Sequence, residues 1–134
     1  MAIAGFGFKK ISAERYESSK GNIKVDAKLN IKDIKKEDIK LNDREAVKVN
    51  FSFAVVYSPK FAEIELGGEV LFVEDSKKIK RVLELWKDKK IEEEVRLIVF
   101  NFLMAKCNIK ALAIEEELGL PFHIPLPKIK SDKK

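Results

Sequence analysis

Residues 91–118 read IEEEVRLIVFNFLMAKCNIKALAIEEEL, and this stretch decides how the rest of the chain must fold. Between Val95 and Ala105 the only polar side chains are Arg96 and Asn101. Two apolar seams run through the segment. One comprises Ile91, Val95, Ile98, Phe102, Ala105, Ile109 and Leu112; the other comprises Leu97, Phe100, Met104, Cys107, Ala111, Ile114 and Leu118. Both advance by alternating steps of three and four, which is helix spacing. At about 100° per residue the seams fall on nearly opposite sides of one rod. A surface helix needs a single apolar stripe. The spacing therefore predicts a long helix, from about Ile91 to Leu118, with one side on the body of the domain. The other side must cover a sister subunit, a further layer or an apolar ligand. Glu92, Glu93 and Glu94 suit the positive end of the helix dipole. Gly119 suits a C-cap, and Asn108 is a candidate interruption.

Working towards the N-terminus, Lys77–Asp88 carries a shorter helical stripe of Ile79, Val82, Leu83 and Trp86 behind a candidate N-cap at Asp75-Ser76. Phe61–Val73 alternates, with Ala62, Ile64, Leu66, Val70 and Phe72 inward and Glu63, Glu65 and Glu69 outward. Gly67-Gly68 in mid-strand marks a bulge or sharp bend. Ser58-Pro59-Lys60 is a turn, so Ala46–Tyr57, with Val47, Val49, Phe51, Phe53, Val55 and Tyr57 on one face, forms an antiparallel hairpin with the strand that follows. Asn22–Ile31 alternates cleanly as a half-buried strand, and Phe6–Tyr16 forms a looser first strand. Lys32–Arg44 is rich in charge, with Ile34, Ile39 and Leu41 as isolated anchors, and reads as a long crossover loop. Beyond Gly119, the prolines at 121, 125 and 127 exclude helix. Leu120, Phe122, Ile124 and Leu126 alternate there as an extended strap whose side chains dock on the body. The fold class is α+β: a four-stranded antiparallel sheet packed against a long C-terminal helix and a shorter one. Residues 1–134 make one domain, with 130–134 as a frayed tail.

Composition narrows the function. With 46% apolar and 37% charged residues the chain is folded and water-compatible. No uninterrupted apolar run reaches the ~18 residues of a membrane span, and Met1–Phe8 lacks a signal-peptide pattern. One cysteine gives neither an intrachain disulfide nor a zinc cluster, and the expected setting is the cytoplasm. Abundant Lys and Glu, four Arg and no Gln or Thr resemble a hyperthermophile proteome. The net charge of +5 gathers at Lys77–Arg81, Lys87–Lys90 and Lys128–Lys134. These clusters read as solvated helix ends and tail, since nucleic-acid sites favour Arg with interleaved aromatics.

Catalytic chemistry is sparse. His123 is the single histidine, and no orienting partner lies near it in sequence, so a structural or solvent-facing role is expected. Cys107 sits on the second seam as a small buried hydrophobe. Gly5-Phe6-Gly7 lacks the strand–turn–helix context of a phosphate loop. Glu63, Glu65 and Glu69 read as a wetted sheet face offset by Lys24 and Lys28, not as cation ligands. Trp86 reads as core. The expectation is a protein without catalytic, cofactor or metal sites: not an enzyme.

Three stretches carry a family resemblance. Val47–Tyr57 resembles the central alternating strand of the SecB export-chaperone family and its SecB-like relatives. Residues 65–72, ELGGEVLF, resemble that family's strand with a Gly-Gly step, and Gly119-Leu120-Pro121 with Pro127 resembles the segment after its long helix. The resemblance spans Ala46–Ile129 in pattern. It implies a homotetramer built as a dimer of dimers and ATP-independent holding of unfolded polypeptides in an apolar groove. The basic charge departs from the family's acidic character, and no stretch matches the tail that contacts the motor SecA. The client is then either a preprotein for export or one dedicated protein, as with SecB-like relatives that guard toxin–antitoxin partners. On this reading Leu97, Phe100 and Met104 form a subunit contact or line a client groove. Phe51, Phe53 and Phe72 form its sheet-side wall, with the Lys32–Arg44 crossover as its lid, and the basic surface attracts acidic stretches of clients. The other readings are a homo-oligomeric structural or interaction protein, dimer or tetramer, and a basic nucleic-acid-associated module; membrane insertion is not expected.

Overall fold

A computed structural model describes residues 3–16 and 21–129, apart from the side chains of residues 40 and 41. The tail expected to fray, 130–134, lies outside the described residues. The elements run β1 (Ile3–Arg15), β2 (Lys24–Leu41), β3 (Arg44–Ser58), β4 (Ala62–Asp75), α1 (Ser76–Trp86) and α2 (Glu93–Leu118). The strands form one antiparallel sheet in the order β1-β4-β3-β2. The α+β architecture matches the sequence expectation.

The period of two along β3 and β4 builds the core. Val47, Val49, Phe51, Phe53, Val55 and Tyr57 of β3 are buried, as are Ala62, Ile64, Leu66, Val70 and Phe72 of β4. Ile79 and Val82 of α1 and one line of α2 close over this face in a single apolar cluster. Asp75 caps α1 by accepting the Lys78 backbone N–H at 2.9 Å. Gly119, at φ 65°, ends α2 in the left-handed conformation. Arg15 Nη1 donates to the carbonyls of Leu118 and Gly119, at 2.7 and 3.0 Å, and so places a cation on the carbonyl end of that helix.

The Gly67-Gly68 expectation resolves into a close approach of two backbones. The register of β1 against β4 shifts between Phe8 and Lys10, opposite the glycine pair. A Cβ on Gly68 would lie 2.1 Å from the Gly7 carbonyl oxygen and 2.8 Å from Phe8 Cα. The space above is taken by aromatic rings: Phe6 stacks on Phe51 at 5.9 Å, and Phe8 meets Phe51 edge-on at 6.2 Å.

The Lys32–Arg44 loop expected from sequence is instead the far half of β2 and a tight hairpin. Leu41 pairs with Arg44 across Asn42-Asp43, and Asn42 takes a positive φ of 58°, which asparagine tolerates. A bulge between Ile31 and Asp33 resets the register. Ile34 thereby turns into the core, while Lys32, Lys35, Lys36 and Asp38 stay exposed. The strands that are consecutive in sequence but not adjacent in the sheet are instead β1 and β2, which occupy opposite edges.

The contact line of α2 also differs from either predicted seam. Its buried residues are Val95, Val99, Leu103, Cys107, Ala111 and Glu115, each four positions after the last. Steps of four advance the line by about 40° around an ideal helix. The line therefore starts on the first seam at Val95 and ends on the second at Cys107 and Ala111. Alternating threes and fours suit a partner parallel to the helix axis, whereas a helix laid across a twisted sheet packs along a ridge of fours. The helix continues unbroken through Asn108. By length and a mean hydropathy of 1.6 over its most apolar window, α2 also reaches what a membrane-crossing helix requires. Within this fold its line of fours is core, and Lys106 and Lys110 interrupt its surface.

Candidate polypeptide-binding face

With the core satisfied by the line of fours, large apolar side chains of α2 are left pointing away from the sheet. Leu97, Ile98, Met104 and Ile109 are 49, 36, 39 and 69% exposed, and Ala105 between them is exposed too. They share one side of the rod with Asn101. A row of this kind on one helix is the usual surface for a partner chain.

The six residues singled out from sequence divide among three environments. Leu97 and Met104 lie on the outward arc. Phe100 is half-buried, with the Arg96 guanidinium 5.8 Å from its ring centre, and shares a narrow apolar crevice with Phe72, Ile31, Ile34, Val82 and Ile91. Phe51 and Phe53 are sealed in the core at 2 and 1% exposure, so in this conformation they present no groove wall. The lid assigned to Lys32–Arg44 is β2 strand, paired to β3 as far as Leu41.

The strap docks by part of the expected set, with Ile124 half-buried, and by one residue outside it. Leu120 is buried, but Phe122 and Leu126 are exposed, and the inward side chain is His123. Its ring Nδ1 lies 2.6 Å from Glu115 Oε2, and its backbone N–H donates to Glu115 Oε1 at 3.1 Å. Nε2 lies 2.8 Å from Asn108 Oδ1, and the ring meets Phe53 edge-on at 6.0 Å. The Tyr57 hydroxyl donates to the Pro121 carbonyl. The side chains of His123 and Glu115 are 1 and 0% exposed, so no substrate reaches the imidazole. A histidine with an orienting carboxylate suggests catalysis only where something can approach it; here the pair fastens the strap to α2. Burial, followed by the nearby Glu115 charge, pushes the Tyr57 phenol well above its ordinary range. Burial alone pushes the Cys107 thiol up to about 12, an inert sulfur as the sequence suggested.

The acids of the outer sheet face are paired. Glu65 is met by Lys10 at 2.7 Å and Glu69 by Lys9 at 3.2 Å, while Lys48 bridges Glu37 and Glu69. The lysines expected to offset these acids, Lys24 and Lys28, are on β2, which β3 separates from β4. The hydrogen bond from Lys10, more than its charge, holds the Glu65 carboxyl below the usual range. Trp86 is half-buried and donates from Nε1 to Asp33 at 3.2 Å, which lowers the Asp33 carboxyl. Among the described residues no His, Cys, Asp and Glu side chains gather as a metal site requires.

No protein-family model matches this chain, and no curated protein does. Among solved structures it is similar to the Mycobacterium tuberculosis Rv1957 SecB-like chaperone in complex with a ChAD peptide from the Rv1956 HigA1 antitoxin. The TM-score is 0.54 at 12% identity, over 96% of this chain and 90% of that one. The fold is SecB-like. At that identity the likeness is one of architecture. That neighbour is a chaperone rather than an enzyme.

Proposed function

We propose that this chain is an ATP-independent holdase that binds apolar or unfolded polypeptide segments. The observation that supports it most is the outward arc of α2. Leu97, Ile98, Met104 and Ile109 stay exposed in a row after the fold has taken all the apolar contact it needs from that helix. Burying what is still exposed of each would contribute on the order of 1 kcal/mol, before the cost of ordering a client. Met104, unbranched and polarisable, suits clients of varied shape. The polypeptide-bound state of the similar SecB-like chaperone points the same way. We further propose that the protein is a cytoplasmic homo-oligomer, with sister chains covering part of the arc. Its clients are either the broad set met in protein export or one dedicated protein.

The test joins solution mass with suppression of aggregation of an unfolded client. Leu97→Asp and Met104→Asp are exposed and should leave the fold intact. Loss of protection with retained fold and mass assigns the arc to clients; loss of mass assigns it to the subunit contact. Variants that keep fold, mass and full protection would place binding elsewhere. A parent that self-associates yet never slows aggregation would favour the alternative reading, a structural or interaction protein.

A further inference from the structure

The charge of this chain is localised, and its location bears on which clients the holdase reading admits. Residues 76–90, α1 and the turn after it, hold seven Lys or Arg and two Asp or Glu, a net charge of +5. That equals the net charge of the whole chain; the other 119 residues balance at twenty of each sign. Two shallow hollows flank α1, of about 470 and 450 Å³, and Lys77 and Lys80 border both. Neighbouring cations are engaged: Lys78 with Glu94 at 2.7 Å, Arg81 with Glu92 at 3.4 Å, and Lys36 with Glu45 at 3.7 Å. Among the described residues no carboxylate pairs with Lys77 or Lys80. The Lys78–Glu94 contact also fixes where the basic patch sits. Glu94 precedes Leu97 and Ile98 by three and four positions on α2, so it is their neighbour on the helix surface.

We propose that this patch selects clients by charge. A segment held on the α2 arc carries carboxylates at one end of its apolar stretch, and Lys77 and Lys80 receive them. This rests on the holdase reading. A peptide fits better than a nucleic acid for three reasons. The uncommitted cations that border both hollows are lysines, and the one guanidinium there is tied to Glu92. Glu84, Glu92 and Glu45 line the hollows and would repel a continuous phosphate backbone. The one nearby aromatic, Trp86, is covered by Lys89 at 4.6 Å and offers no free stacking face there.

The test is fluorescence anisotropy on the full chain with peptides of one apolar core flanked by glutamates, serines or lysines. The glutamate peptide should bind about 5- to 10-fold more tightly than the serine peptide at low ionic strength, the sum of two partly screened pairs. The lysine peptide should bind most weakly. The gap should shrink at about 0.5 M salt, where the screening length falls to a few ångströms. It should close in the Lys77→Gln/Lys80→Gln variant, whose surface changes spare the fold and the serine-peptide affinity. Equal binding of the glutamate and serine peptides, or a gap that survives in the variant, overturns charge selection and leaves the holdase reading standing. Failure of all three peptides to bind overturns both. Single-stranded RNA or anionic vesicles that displace the glutamate peptide more effectively than it displaces itself would overturn the assignment to polypeptide.

Discussion

Removing His123 should unfasten the strap at a large cost. Its ring nitrogens engage Glu115 and Asn108 at 2.6 and 2.8 Å, inside a site that water does not reach. In His123→Ala, Glu115 keeps the backbone N–H of residue 123 and the neighbouring Tyr57 hydroxyl but loses the imidazole, its closest partner. Such breakage typically costs about 3–5 kcal/mol. With an unfolding entropy of about 2.1 cal/mol/K per residue, that lowers Tm by roughly 10–18 °C for a domain of this length. Glu115→Leu strands the imidazole and should cost a similar amount. The double variant Glu115→Leu/His123→Phe removes both polar partners and should lie well above the sum of the singles, because an apolar pair of similar bulk is often tolerated. Thermal and chemical unfolding, followed by Trp86 fluorescence at matched protein concentration, measures all three. Hydrogen exchange adds a local readout: the Leu120 amide, which donates to the Glu115 carbonyl at 2.8 Å, should lose protection first in the single variants. Single variants within about 1 kcal/mol of the parent, with additive effects in the double, would refute the clamp.

Gly68→Ala places a Cβ against the backbone of β1 and should cost more than about 3 kcal/mol or unpair that strand, whereas Gly67→Ala, with 3.5 Å to the Phe51 carbonyl oxygen, should be mild; chemical denaturation compares them. Stability should fall as pH rises above about 9 towards 12, because the folded state raises the Cys107 and Tyr57 pKa values and so binds protons that the unfolded chain releases. Cys107→Ala and Tyr57→Phe should each flatten that alkaline limb, whatever they do to stability at neutral pH. Arg15→Ala should cost about 0.5–1 kcal/mol by exposing the carbonyl end of α2, where Glu115, Glu116 and Glu117 add unfavourable charge, and the loss should shrink at high salt.

Strands β3 and β4 were legible because each has one dry and one wet face, so burial wrote a period of two into the sequence. The far half of β2 was not legible. It is an edge with one partner strand, Ile34 is its only buried anchor among the described side chains, and a bulge breaks the period just before it. The Asn42-Asp43 pair between alternating segments was the available sign of a hairpin. For the site, sequence located the apolar excess of α2 but not how the helix divides it. The clamp was hidden because Glu115 and His123 belong to different elements and meet through the reversal at Gly119. One signal did exist: steps of four from Val95 through Ala111 arrive at Glu115, and a carboxylate at the end of a buried line needs a partner.

The distribution of size along α2 bears directly on function. Its buried line is mostly slender (Val95, Val99, Cys107, Ala111), with Leu103 as the one large apolar member. Its phenylalanines, Phe100 and Phe102, are half-buried along the flanks, while Leu97, Ile98, Met104 and Ile109 face outward. A helix selected only to complete this core would place its largest apolar side chains inward and polar ones outside, since each fully buried large side chain stabilises by about 1.5–3 kcal/mol. Here large side chains are retained where the isolated fold gains little from them, and where they favour association in water. The outer sheet face shows that the chain can place charge outside: Glu65 and Glu69 are matched there by Lys9, Lys10 and Lys48. The apolar arc is therefore a feature of α2 that this core does not use, and it is what the holdase proposal rests on.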